Sequence, residues 1–94
     1  MNNSFELIAL EWHENKKPSW SIGYATDILE YLKKGIFPHI GKRPVADINA
    51  KEMLDVFRKM EKRGVLDKLK KTRQACRQIF TYAVIFGRAE HNPE

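Results

Sequence analysis

Seven side chains within one stretch of this sequence, Lys68, Lys70, Lys71, Arg73, Gln74, Arg77 and Thr81, are of types that can hold a polyanion. Lysine and arginine neutralise phosphates, while Arg and Gln can pair with base edges in a major groove and a Thr hydroxyl can bond either kind of group. At 100° per residue, Lys70, Arg73, Gln74, Arg77 and Thr81 fall on one stripe, roughly 130° around from the apolar residues of the same stretch. From Lys68 to Ala89 there are six basic residues and no acid. The chemistry on offer is recognition of an anion, with no bond made or broken.

Residues for covalent chemistry are not grouped in this way. His13, His39 and His91 are scattered, and none has a second ligand at metal spacing. No Gly-rich phosphate loop, Gly-x-Ser-x-Gly elbow or carboxylate pair in an apolar setting occurs. The chain is therefore expected to use no metal or cofactor and not to be an enzyme by itself. On composition alone, three uses of the basic stripe stay open: nucleic-acid binding, docking of an acidic protein, and a solvated face that only confers solubility.

The stripe must be carried by a helix running from Asp67 to Gly87. Leu69, Thr72, Cys76, Ile79, Phe80 and Ala83 recur at steps of three and four, so they share a face that should be buried. Asp67 is the expected N-cap and Gly87 the expected C′ residue. That start would place Lys68, Lys70 and Lys71 in the first turn, where each cation opposes the macrodipole by about 0.3–1 kcal/mol. Stability alone would not select lysines there.

Three further helices are expected ahead of it. The first is capped by Ser4 or by Asn3 with Glu6, places Phe5, Ile8, Ala9 and Trp12 inward, and ends near Glu14 before Pro18. The second is capped by Ser19 or Ser21, buries Ala25, Ile28, Leu29 and Leu32, and stops at Lys33-Lys34-Gly35. The third starts at Asn49 with Glu52 as a capping box, turns Met53, Leu54, Phe57 and Met60 inward, and stops at Gly64. Between the second and third, residues 36–48 hold two prolines and one glycine, yet five large apolar side chains. An ordered, packed connector follows, because a disordered linker lacks the apolar content to hold itself down. Trp12, Trp20, Tyr24, Tyr31 and Tyr82 are expected to pack in the core.

No alternating strand pattern, repeat or low-complexity tract interrupts this reading. The fold class is all-α: a compact four-helix bundle with a long packed connector between helices two and three. A chain of 94 residues, 43% hydrophobic, suits one domain with one core. Its lone Cys76 is expected to be a buried hydrophobe. The net charge of +5 is C-terminal in origin: residues 1–50 hold six Lys and Arg against six acids, and residues 51–94 hold eleven against six. No apolar run approaches the roughly 18 residues of a membrane span, and no signal-peptide pattern opens the chain, so an intracellular protein is expected. The last residues, through Asn92-Pro93, lose helical periodicity and read as a cut inside a longer protein.

Together, Phe5 to Trp12, Trp20-Ser21, the connector Ile36-Phe37-Pro38-His39-Ile40-Gly41-Lys42-Arg43-Pro44, Asp47-Ile48, Gly64, Ile79-Phe80-Thr81-Tyr82-Ala83-Val84 and the Gly87 to Asn92-Pro93 exit resemble the core-binding domain of P4-like phage integrases, which are tyrosine recombinases. The resemblance implies a SAM-like helical domain, residues 1–94, that forms one jaw of a clamp on core-site duplex DNA in a bacterial cytoplasm. It also implies a separate catalytic domain, bearing two arginines, a histidine and a nucleophilic tyrosine, and assembly of recombinase protomers on DNA, the isolated domain being a monomer. Tyr24, Tyr31 and Tyr82 match no catalytic context. A helix matching 67–87 commonly lies against DNA in that family, which favours Lys70, Arg73, Gln74 and Arg77 as contacts. The competing expectations are a helical module docking an acidic partner, or an enzyme whose active site needs another domain.

Overall fold

The computed structural model of the protein describes residues 3–64 and 66–88. Its helices are α1 (Phe5–Lys16), α2 (Ile22–Gly35), the one-turn α3 (Phe37–Ile40), α4 (Ala50–Lys62) and α5 (Leu66–Ile85), so four main helices form the fold. Single 3-10 turns at Lys17–Ser19 and Val45–Asp47 complete the element order. Among the described residues there is no strand, only an isolated bridge between Ser4 and Pro44. The Asn92-Pro93 signal and His91 lie outside the described residues.

The caps written into the sequence form. Ser4 and Ser21 are extended, and their Oγ atoms accept from the Leu7 and Tyr24 amides at 3.3 and 3.2 Å. Asn49 Oδ1 accepts from the Glu52 amide at 2.9 Å, but the Glu52 carboxylate does not simply complete a local box: it is paired with the Arg43 guanidinium. Arg43 also donates to the Asp47 carbonyl at 3.2 Å, so α4's start and the connector are fastened together.

The connector is as packed as expected, and it contributes more than packing. Helix α1 has first-turn amides with no helical acceptor, and two of them find one in the connector: Phe5 N–H donates to the Arg43 carbonyl and Glu6 N–H to the Gly41 carbonyl, each at 2.9 Å. Val45 N–H returns a bond to the Asn3 carbonyl at 2.8 Å. Ile36, Ile40, Val45 and Ile48 are buried beneath this seam. Pro18 lies in the 3-10 turn after α1, where its missing N–H would have had no helical partner, so α1 reaches Lys16 instead of ending near Glu14.

The glycine stops are of two kinds. Gly64 and Gly87 both take φ +73°, the left-handed conformation that ends a helix at C′. At Gly87 the full Schellman pair forms, Gly87 N–H to the Val84 carbonyl at 3.1 Å and Arg88 N–H to the Ala83 carbonyl at 2.7 Å. Gly35, in contrast, is the last residue of α2 and is buried against α4, where an added Cβ would lie 3.2 Å from Met60 Sδ. It allows close approach and does not reverse the chain.

The core runs through all the helices. Leu69, Thr72, Cys76, Ile79, Phe80 and Ala83 are all buried, so the apolar phase of α5 is as the spacing predicts. The rings of Phe5 and Phe80 meet at 5.3 Å between centroids, which ties α1 to α5. Helix α5 packs against α1, α2 and α4, and its remaining face is left outside. In α4 the expected Leu54 is 45% exposed and Val56 is buried in its place. Val56 is three residues from Met53 and shares its face, whereas Leu54 is about 100° away. Trp12 is buried, Trp20, Tyr31 and Tyr82 pack on the core's margin, and Tyr24 stands at the edge, 40% exposed against the Trp20 ring.

Candidate nucleic-acid interface

Helix α5 begins at Leu66, so Asp67 lies inside its first turn and does not cap it. Only Lys68 is then in the first turn, while Lys70 and Lys71 fall in the second, where the macrodipole has largely faded. Of the three lysines, Lys68 alone opposes the macrodipole appreciably.

The seven basic and polar residues divide between surfaces. Lys70, Arg73, Gln74 and Arg77 are exposed and border one shallow groove of about 500 Å³ with Leu66 and the edge of Leu69. Arg73 holds a defined position there, its guanidinium lying 5.2 Å over the Phe57 ring of α4. Thr81 stands beside this groove, its Oγ1 donating to the Arg77 carbonyl at 3.0 Å. Together with Arg77 it borders a second hollow, of about 350 Å³, between α1 and α5. Lys71 is exposed on the flank of α5. Lys68 faces the other way, its Nζ 5.7 Å above the Tyr31 ring of α2.

Lys16 also borders the hollow between α1 and α5, with Trp12 and Tyr82 in its wall. In the sequence, Lys16 marks only the break before Pro18. Its cationic role needs the packing of α1 on α5, and the sole hint is that it stands four residues after Trp12, on the same face of α1.

Tyr82 also organises the end of this face. Its hydroxyl donates to Glu11 Oε2 and accepts from Asn15 Nδ2 at 2.9 Å, while Arg88 Nη1 donates to Glu11 Oε1 at 3.2 Å. The Tyr82 hydrogen bond, assisted by Arg88 and opposed by desolvation, holds the Glu11 carboxyl below its usual range; the same bond pushes the Tyr82 phenol up. Glu11 is thus engaged by a phenol and a guanidinium beside the hollow. Among the described residues, no group of three or more His, Cys, Asp or Glu is placed to hold a metal ion.

A surface of this kind, cationic along one helix that is packed on a buried core, can grip an extended polyanion, and Arg and Gln on it can reach base edges. Known proteins share the sequence and the fold. A family model described as the phage integrase central domain matches residues 5–94. Prophage integrase IntS of Escherichia coli K12 is 42% identical over 92 residues, which cover 98% of this chain and 24% of that protein. The integrase of Shigella phage Sf6 is 41% identical over 92 residues, with the same coverage, and that of enterobacteria phage P4 is 33% identical over 90. The chain thus spans about a quarter of the length of these relatives. A fragment of IntS of E. coli solved by NMR superimposes with a TM-score of 0.89 at 42% identity, covering 99% of this chain and 79% of that one.

Proposed function

Since the chain belongs to the phage integrase central domain family, we propose that it is the core-binding domain of a site-specific integrase of the tyrosine recombinase type, and that it holds core-site duplex DNA while strand cleavage is carried out elsewhere in the longer protein. The observation that carries this reading is the exposed face of α5, on which Lys70, Arg73, Gln74 and Arg77 border one groove with no acid between them. Lys70 and Arg77 neutralise backbone phosphates, and Arg73 and Gln74 read or follow base edges. Lys16 and Thr81 extend the same surface towards α1. Cleavage would need a nucleophile and preorganised stabilisers for the phosphorane charge, and Lys70, Arg73, Gln74 and Arg77 offer DNA only charge and hydrogen bonds.

The isolated domain should bind duplex DNA weakly and with little sequence preference, because one jaw lacks the avidity of two linked modules, commonly a factor of about 10² or more. About four neutralised phosphates would give a slope of log affinity against log salt near −3 to −4, with a Kd in or above the micromolar range at physiological salt. Fluorescence anisotropy titrations of a duplex of about 20 base pairs at several salt concentrations test this, alongside a search for covalent protein–DNA product. Salt-independent binding, binding that survives loss of both Lys70 and Arg77, or any covalent adduct would overturn it.

A further inference from the structure

We propose that a second cationic hollow, at the end of the bundle where α2 and α4 finish and α5 starts, seats a backbone phosphate of the same duplex. The inference rests on the DNA-binding reading of α5 and enlarges its footprint. Lys34 of α2, Arg63 after α4 and Lys68 of α5 meet around the hollow, which has the Tyr31 ring in its wall and a volume of about 150 Å³. That is room for about five waters, enough for one partly hydrated anionic group. Among the described residues one carboxylate, Glu30, also borders the hollow, and it is paired with Lys34 at 3.4 Å, leaving the cations in excess.

Two of these cations have an explanation within the fold. Lys34 and Arg63 stand at helix C-termini, where the macrodipole favours positive charge. Lys68 has none, for it lies in the first turn of α5, where the dipole opposes it. The Tyr31 face offsets part of that cost and also fixes the ammonium over the hollow. With Lys34 paired to Glu30, the like charges of Arg63 and Lys68 beside it still repel, and a further anion would relieve that cost. Positive potential at this end is felt further off: burial first, and then the charges of Lys59 and Arg63, hold the His39 imidazole below its ordinary range.

The hollow also continues the α5 face. Around the helix, Lys71 lies about 60° from Lys68 and the neutral Gln74 about 60° beyond that, so polar side chains link the hollow to the stripe.

The test uses the 94-residue chain and a duplex of about 20 base pairs of arbitrary sequence, titrated by anisotropy from low to physiological salt. Arg63→Gln and Lys68→Gln should each weaken binding about 3- to 10-fold at low salt and reduce the salt slope by about 0.9, the value of one lost phosphate contact. Lys68→Arg should restore both. Thermal melts should stay nearly level, since relief of like-charge repulsion opposes loss of Arg63 from a helix C-terminus and of Lys68 from the Tyr31 ring. Lys34→Gln, at an exposed position, serves as the readout if either variant melts below the assay temperature. Wild-type affinity and slope in all hollow variants, with Arg77→Ala weakened, would overturn the hollow and leave the α5 reading standing. Weakening in the hollow variants alone would support the hollow and sink the stripe. Failure of the unaltered chain to bind duplex would remove both.

Discussion

The Tyr82 hydroxyl donates to Glu11 Oε2 across 71 positions of sequence, joining the last turns of α5 to the middle of α1. Arg88, just past the Schellman stop at Gly87, holds the other Glu11 oxygen, so the direction in which the chain leaves α5 is fixed to α1 by the same carboxylate.

That relationship makes stability pH-dependent at both ends. Glu11 titrates below its ordinary value of 4.5 in the folded protein, so its contribution is present above that value and is lost as pH falls through the folded one. Tyr82 titrates above its ordinary value of 10.0, so its contribution is present below 10.0 and is lost as pH rises through the folded value. Tyr82→Phe should therefore lower stability most between about pH 5 and 9, with the difference from the unaltered protein narrowing at either extreme. The Glu11 side chain is 40% exposed, so a charged hydrogen bond here is discounted for screening to about 0.5–1.5 kcal/mol. Thermal melts of both proteins from about pH 4 to about pH 11 check the window, and a pH-independent difference would show that the hydroxyl acts through its Asn15 hydrogen bond and not through the Glu11 carboxylate.

Glycine substitutions should separate sterics from flexibility. An added Cβ at Gly41 would lie 2.6 Å from the Phe37 carbonyl oxygen and 2.9 Å from Phe37 Cα, both backbone atoms of a turn that also supplies α1 with acceptors. Gly41→Ala should cost about 1–3 kcal/mol or more. Gly23, in the first turn of α2, has open space for 4 Å around the point that a Cβ would occupy, so Gly23→Ala should gain about 0.4–1 kcal/mol. Urea denaturation of the two variants should show opposite signs.

Core phase is checked in the same assay. Phe80 is fully buried and touches Phe5, so Phe80→Ala should cost about 3–5 kcal/mol. Leu54→Ala, at the exposed edge of α4, should stay within about 0.5 kcal/mol. Equal losses would mean that α4 packs by a different face.

What the sequence reveals here follows from what is local. The inward face of α5, the caps at Ser4, Ser21 and Asn49 and the stops at Gly64 and Gly87 depend on spacing within a few residues, and each is found where the pattern puts it. Residues 36–48 are legible as a packed connector from their apolar content, but their carbonyls' service to α1 is not, since it depends on two segments meeting across the fold. Charge alone groups Lys68 with Lys70, although two residues apart on a helix means about 160° around it. Only the packing of α2 on α5, with Tyr31 beneath the ammonium, shows where Lys68 goes. Lys16 joins the candidate face for the same reason, through α1.

Arg73 and Lys70 border the same groove yet should respond differently to truncation. The Arg73 guanidinium lies over Phe57, so it is both a candidate DNA contact and a cover for an α4 core residue. Arg73→Ala should weaken duplex binding and also lower stability by about 0.5–1 kcal/mol, the range for a cation on an aromatic face at an exposed site. Lys70 is an exposed ammonium at the rim of the groove, and Lys70→Ala should weaken binding and shallow the salt slope by about 0.9 with the melt unchanged. Arg73→Lys separates the two roles, because an ammonium keeps the charge but cannot stack as a planar group. Its salt slope should match the unaltered protein while its melting temperature falls part of the way to that of Arg73→Ala. Anisotropy and thermal melts on the same samples decide the case, and an Arg73→Ala protein that binds DNA normally but melts early would make Arg73 a packing residue and withdraw it from the interface.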